Sequence, residues 1–225
     1  MSEKVIVSWS SGKDSALALY EVMHNPDYDV IGLLTTINSS TNRVSMHNVH
    51  RNLVEQQSAS IGIPLAVVSF DPDDGFDSYE TSMRRTFNKY QQQGASAVVS
   101  GDIFLEELRK VREDNLAQIG LKGIFPLWKR NTRELAETLV QYGFKAVITS
   151  VDTAALSTDF LGQVVDTQFL ASLPPGVDPC GENGEYHSFV YDGPYFQAPI
   201  QFTLGKVLSY DERFYHYDLL PDPST

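Results

Sequence analysis

The stretch VIVSWSSGKDSALALY, Val5 to Tyr20, decides how this chain is read. An apolar, β-branched run meets small hydroxyl residues packed around one lysine, then passes straight into helix-forming residues. A strand, a small-residue loop and a helix N-terminus aim unpaired N–H groups at one point, which suits an anion. The helix dipole adds roughly 0.3–1 kcal/mol. A lysine about 4 Å from a phosphate adds on the order of 4 kcal/mol near a protein surface, before desolvation is charged against it. Gly12 permits close approach, and Ser10, Ser11 and Ser15 offer hydroxyl donors. Asp14 stands where it can cap the helix or orient a metal. The loop is not a Walker A motif, because Val7 occupies the first glycine position and Asp14 the place of Ser or Thr after the lysine.

Outward from this stretch, apolar runs alternate with helical patterns. Strands are predicted at Val5–Trp9, Val30–Ile37, Leu65–Phe70, Ala97–Ser100 and Ala146–Ser150. Helices are predicted over Ala16–Met23, Val49–Ile61, Leu105–Ile119 and around Leu135, Leu139 and Tyr142. Phe76, Tyr79, Met83, Phe87 and Tyr90 step by three or four, the spacing of one buried helical face. This alternation indicates an α/β fold with a mostly parallel, doubly wound sheet, its ligands beyond the carboxyl ends of the strands. After about residue 150, five prolines from Pro174 to Pro199 punctuate short Gly- and aromatic-rich segments. The expected organisation is a nucleotide-binding domain over residues 1–130 and a smaller α+β portion over 131–225 that completes the substrate site. The aromatic run Tyr191–Phe196 is read as core, substrate wall or dimer face, and Pro221–Thr225 as a loose tail.

The 225 residues carry a formal charge of −12, which repels phosphate backbones and argues against nucleic acid as a partner. No apolar run approaches membrane-spanning length, and so little chain precedes the first strand that a signal peptide is not expected. A cytoplasmic protein is the expectation. One cysteine, Cys180, excludes an internal disulfide framework and an all-cysteine zinc site. It reads as a small buried residue rather than a nucleophile. The loop Asp71–Asp77 is out of phase with a calcium-binding EF-hand loop and reads as a solvated acidic turn.

Ser10-Ser11-Gly12-Lys13-Asp14-Ser15 closely resembles the SGGKDS pyrophosphate loop of the N-type ATP pyrophosphatases, with serine at position 11 where glycine is commoner. Two further segments, Gly101–Trp128 and Asp178–Phe196, resemble the diphthine–ammonia ligase family, also known as the domain-of-unknown-function-71 ATP-binding family. The likeness covers nearly the whole chain. It implies ATP and Mg²⁺ as cofactors, cleavage of ATP between the α and β phosphates, and amidation of an adenylated carboxylate by ammonia. Asn183 stands where the diphthamide branch tends to have glycine. With the Asp-Pro-Cys and Phe-Pro-Leu-Trp wording, it resembles a bacterial branch, whose substrate is then a small metabolite carboxylate rather than diphthine. A tRNA-modifying relative and a non-catalytic ATP or AMP binder are the alternatives. Oligomeric state is left open, a homodimer among the options.

On this resemblance Lys13 and Asp14 carry catalysis, and Ser10 to Ser15 hold the phosphates. Thr36, at the end of the second strand, takes adenine, and His47 touches nucleotide or substrate unless it is an ordinary exposed histidine. His47 and His50, three apart, have no accompanying pattern that would make them zinc ligands. Gly101 and Asp102 follow the fourth strand, where Asp102 meets magnesium or ribose, or is a turn aspartate. Glu182 and Glu185 flank Gly184. They bind magnesium, hold ammonium or act as base, or else sit solvated on a turn. Asn183, Gly184 and His187 are assigned to substrate. Glu106, Arg109 and Arg112 read as solvent-facing i,i+3 pairs.

Overall fold

The structure is a computed structural model that describes residues 2–44, 47–71, 76–209 and 212–222. Most of the acidic loop at 71–77, Ser45 and Met46 before His47, and the tail residues 223–225 lie outside the described residues.

The first part of the chain runs β1 (Glu3–Ser8), α1 (Lys13–Met23), β2 (Tyr28–Asn38), β3 (Arg43–Val44), α2 (Arg51–Ile61), β4 (Leu65–Phe70), α3 (Phe76–Gln92), β5 (Ala95–Val99), α4 (Glu106–Ala117) and β6 (Lys122–Ile124). Parallel pairing joins β4 to β2, β2 to β1, β1 to β5 and β5 to β6. The short β3 pairs antiparallel with Ile37 and Asn38, the same residues that pair with β4. It therefore lies on the β1 side of β2, beyond the end of β1. From β1 the chain builds β2 and β4 to one side, then crosses to build β5 and β6 on the other. Connections diverge between β1 and β5, and a crevice opens there at the carboxyl ends of the strands.

The burial pattern explains the sheet. Val5, Ile6 and Val7 are all fully buried, as a central strand covered on both faces requires. Val5 and Val7 join one apolar cluster with Ala16, Leu19 and Leu53. Ile6 joins another with Leu34, Phe87, Tyr90 and Leu116. The period-two alternation of β1 thus sends neighbours to opposite layers.

The second part runs α5 (Thr132–Gln141), β7 (Lys145–Asp152), a single 3₁₀ turn (Thr158–Phe160), α6 (Thr167–Ser172), β8 (Tyr186–Asp192), β9 (Phe202–Ser209) and β10 (Phe214–Pro221). Its antiparallel sheet has the order β8-β7-β10-β9. The run at Ala146–Ser150 looked like one more step of the parallel alternation. It is instead the heart of β7, in the second sheet, because its hydrogen bonds go to β8 and β10. Ala146, Ile148, Val151 and Phe189 belong to the same cluster as Val5 and Val7, so both sheets pack on one core. Tyr191, Tyr195 and Phe196 pack against that core, which gives the aromatic run a structural use. Pro221 is not loose: it pairs with Phe202 at the end of β10. Among the described residues, no helix is long and apolar enough to cross a membrane.

Candidate active site

The loop between β1 and α1 is held from behind by buried polar bonds. Trp9 Nε1 donates to Gln57 Oε1 at 2.9 Å, and Gln57 Nε2 donates to the carbonyls of Ser11 at 3.1 Å and Val190 at 2.6 Å. Val190 N–H donates to the same Ser11 carbonyl at 3.0 Å. One amide from α2 therefore locks the phosphate loop to β8 of the second sheet. Ser11 takes a positive φ of 71°, a conformation that favours glycine. Its side chain is fully buried, and its hydroxyl has no hydrogen-bond partner among the described residues.

A cavity of about 460 Å³ opens in front of this loop. Ser10, Lys13, Asp14 and Ser15 line it from the loop side. Gly101 and Asp102 line it from the end of β5, and His47 from the segment before α2. Glu182, Asn183, Gly184 and His187 line it from the segment leading into β8. Four residues singled out from sequence stand elsewhere. Ser11 and Gly12 lie behind the loop surface, Glu185 faces away, and Thr36 lines a neighbouring cavity of about 470 Å³. That second cavity shares Ser8, Ser10 and His47 with the first.

Two glycines make the approach possible. A Cβ on Gly12 would stand 2.6 Å from the His47 ring and 3.0 Å from the Ser188 carbonyl. On Gly101 it would stand 2.7 Å from the backbone of Asp14, so this glycine lets the loops after β1 and β5 touch.

Lys13 is 4% exposed. Burial works against its charge, but the Asp14 carboxylate, with Oδ2 2.9 Å from Nζ, outweighs that and holds the ammonium well above its ordinary pKa. The Tyr186 ring lies 4.9 Å away as a cation–π partner, and its hydroxyl donates to the Pro179 carbonyl. At the helix start, Lys13 N–H donates to Ser188 Oγ at 3.2 Å. Ser10 Oγ donates to Ser15 Oγ, and Ser15 Oγ to the Gly12 carbonyl.

Across the cavity, Glu182 Oε1 accepts from the backbone of Ile103 at 2.7 Å and of Phe104 at 3.3 Å. Burial nevertheless lifts its carboxyl to about 7, with the nearby Asp14 charge adding to the rise. Glu185 spends both oxygens on its own turn, accepting from Asp178 N, Asn183 Nδ2 and Asn183 N, each at 3.0 Å. It organises the turn rather than facing a ligand. The rings of His47 and His187 lie 4.7 Å apart. Burial, with the Lys13 charge close by, pushes them down to about 4 and about 3, so both are neutral at pH 7. His50 caps α2, beside Arg43 and Asp218, and does not join them. Among the described residues, no cluster of three His, Cys, Asp or Glu side chains forms a metal site. Cys180 is 2% exposed with its thiol on the Thr132 carbonyl, and burial pushes its pKa up.

The charged face of α4 differs from the expected surface pairing. Glu106 pairs with Lys129 at 3.0 Å, and Arg109 with Glu113 at 2.8 Å. Arg109 also stacks on Phe125 and Trp128. Arg112 turns into the site, with Nε 3.2 Å from Asp102 Oδ1 and 3.0 Å from Oδ2, the latter off the N–H direction. One turn of helix puts Arg112 over the end of β5, where Asp102, 8% exposed, needs a counter-charge. Gln57, Tyr186 and Ser188 also escaped the sequence reading. Gln57 left a trace as a long polar residue, beside Ser58, among Leu53, Val54 and Ile61 on the buried face of α2.

Comparison with known proteins gives the family. Residues 3–123 match the family described as diphthamide synthase N-terminal domain, and residues 131–218 the diphthamide synthase C-terminal domain. Relatives named diphthine–ammonia ligase include that of Bos taurus, 30% identical over 118 residues, which cover 50% of this chain and 44% of the relative. That of Homo sapiens is 31% identical over 116 residues, 49% of this chain and 43% of the relative. That of Danio rerio is 29% identical over 137 residues, 58% and 53% of the two chains. The chain spans less than half the length of the Bos taurus and Homo sapiens relatives. With the first match alone extending over more than half of its residues, the chain belongs to the diphthamide synthase family.

Proposed function

We propose that this protein joins ammonia to a carboxylate at the expense of ATP, forming an acyl-adenylate and releasing pyrophosphate, then AMP. The carrying observation is the opposition of two groups across one cavity. Lys13 is buried yet firmly charged on one side, and Glu182, with its carboxyl near 7, lies on the other. The first suits polyphosphate and the second suits proton transfer at neutral pH. Membership of the family, with relatives named diphthine–ammonia ligase, supports the same reading.

The acceptor oxygen attacks the α-phosphorus, and negative charge grows on the departing pyrophosphate. Lys13 and the N-terminus of α1 meet that charge without reorganising, which is where such interactions lower a barrier most. The Ser10 hydroxyl, which donates to Ser15 Oγ and accepts from the Gly12 N–H at 3.4 Å, can turn its proton to phosphate. Thr36 and its strand end, in the adjoining cavity, hold the base. A magnesium ion fits a site that offers single carboxylates, Asp14 and Asp102, rather than a cage, since Mg²⁺ takes one or two carboxylates and the phosphates. When bound it shares the phosphate charge. Glu182 then accepts the proton that ammonia must shed as it attacks the acyl carbon. Glu185 and Asn183 keep the Glu182 turn in shape. In this reading residues 1–130 carry the nucleotide and 131–225 complete the acceptor site, and the site asks for no nucleic acid.

Incubation with ATP, magnesium, ammonium and a cell metabolite extract tests this. AMP and pyrophosphate that form only with extract, and vanish in Lys13→Ala, are expected. ADP and phosphate with the same lysine dependence would leave the phosphate loop correct and the chemistry wrong. Nucleotide binding without any turnover would make the protein a sensor.

A further inference from the structure

The two cavities described above are joined by a third, of about 180 Å³, between α3 and α4. All three touch Ser8 and Arg112, so they are arms of one trench that meet at those residues; the second and third also share a wall at Leu34, Tyr79 and Met83. A reaction that joins ATP to an acceptor has three bodies to house: polyphosphate, base with ribose, and acceptor. Lys13 and its loop define the first arm, and the strand end at Thr36 the second. The third is left for the acceptor. The α-phosphorus must lie where the arms meet, because the acceptor oxygen bonds to it there.

The chemistry of the third arm is distinctive. Leu34, Phe87, Val98 and Leu116 are buried in its walls, with Tyr79 and Met83 partly buried beside them. At its inner end stand Arg112, Ser8 and Ser100. Asp102 occupies only the Nε side of Arg112, and the two Nη groups make no bond to any described residue. An open guanidinium fork beside an apolar slot matches a carboxylate on an apolar body. A second charge carried into the slot would lose its water against Phe87 and Leu116 without compensation. Glu80, Arg84, Asn115 and Gln118, the other polar residues on this arm, are exposed at its rim.

We propose that the arm between α3 and α4 binds the apolar body of the acceptor, a monocarboxylic acid bearing one ring or a short branched chain, and that Arg112 holds its carboxylate at the junction. This rests on the ligase reading above. One carboxylate oxygen bonds to the α-phosphorus as the bond from that phosphorus to pyrophosphate breaks. Ammonia then adds to the acyl carbon, loses a proton, and AMP leaves with the electrons of the acyl–oxygen bond. The amide is the product.

The intact protein, with ATP, magnesium and ammonium, is to be given phenylacetate, benzoate, isovalerate, succinate, glutamate or metabolite extract separately. AMP should appear with one or more of the apolar monocarboxylates and not with succinate or glutamate. Ile119→Trp, which fills the arm from a position that lines neither of the other two cavities, should raise the KM of the active acid or extract about tenfold or more while leaving AMP affinity, by titration calorimetry, within about twofold. Arg112→Lys, which keeps the charge but removes the two-pronged fork, should raise the same KM. If Ile119→Trp weakens AMP binding as much as it weakens turnover, the arm houses the base and the proposal fails. Turnover of extract unchanged in both variants, or AMP formed as readily from succinate, overturns it equally. ADP in place of AMP, or no nucleotide product with any addition, instead overturns the ligase reading on which it stands.

Discussion

The two loops that face each other across the cavity are built in opposite ways. The Ser10–Ser15 loop is fastened from behind, through Gln57 and Val190, and turns a buried cation and a helix N-terminus forward. The turn from Gly181 to Glu185 is fastened from within. Glu185 binds three donors of its own segment, while Glu182 reaches across to the backbone after β5. The first loop keeps its charge because a counter-ion outweighs burial, and the second carries a carboxyl whose pKa burial lifts to about 7. Charge held fixed suits a leaving group, whereas charge that changes near pH 7 suits a proton acceptor.

The contrast is sharpest at Lys13. Lys13→Ala should lower the rate of pyrophosphate release by on the order of 10³-fold, the cost of deleting one preorganised electrostatic group. A milder loss would mean that the loop amides carry the phosphate charge without it.

At Glu182 the expected loss is smaller, about 10²-fold, and it shows in the pH profile. The wild-type rate of amide formation should rise through pH 7 as Glu182 ionises, and Glu182→Gln should flatten that rise. The same shift marks stability. The unfolded carboxyl ionises near 4.5 and the folded one near 7, so stability present below pH 4.5 is lost as pH climbs to about 7. Denaturant melts across that range should show a shallower loss in Glu182→Gln. A profile unaltered by the substitution would leave the turn as scaffold only.

Gly101→Ala tests the contact between the loops after β1 and β5. Its Cβ would meet the Asp14 backbone at 2.7 Å, so overpacking should cost about 1–3 kcal/mol in denaturant melts and weaken ATP binding. Full stability with full affinity would show that the loops can part freely. The smallest effect is expected at Ser11→Gly. Relief of the left-handed backbone, worth about 1–2 kcal/mol, and removal of a buried, unpartnered hydroxyl outweigh the extra freedom glycine gives the unfolded chain, about 0.5–1 kcal/mol. A gain of roughly 1 kcal/mol in stability with unchanged turnover should follow.

Much of the first sheet was legible because its signals are local. The apolar runs of β1, β2, β4 and β5 and the helical spacing of Phe87 and Tyr90 each declare their element within a few residues. β3 and β6 escaped because two- and three-residue strands carry no period to read. In the site, residues announced by a motif came together, from Lys13 to Glu182. Residues whose role comes from a distant partner did not announce themselves. Gln57 acts through Trp9 and β8, and Ser188 through the N–H of Lys13. Arg112 shows the difference within one helix: i,i+3 spacing suggested surface pairing, and proximity to Asp102 turned it inward.

The sequence alone determined the strand–loop–helix unit and its anion chemistry, because one small-residue loop after one apolar strand has few other uses. It also determined the parallel α/β layering, through the length and spacing of apolar runs. Only the tertiary structure decided that β7 leaves the first sheet for the second, that Glu185 braces its turn while Glu182 faces the cavity, and that three arms meet at Ser8 and Arg112. Those outcomes depend on contacts between residues far apart in the chain, such as Lys13 with Ser188, 175 positions away. No local period or propensity encodes which distant partner will satisfy a buried polar group.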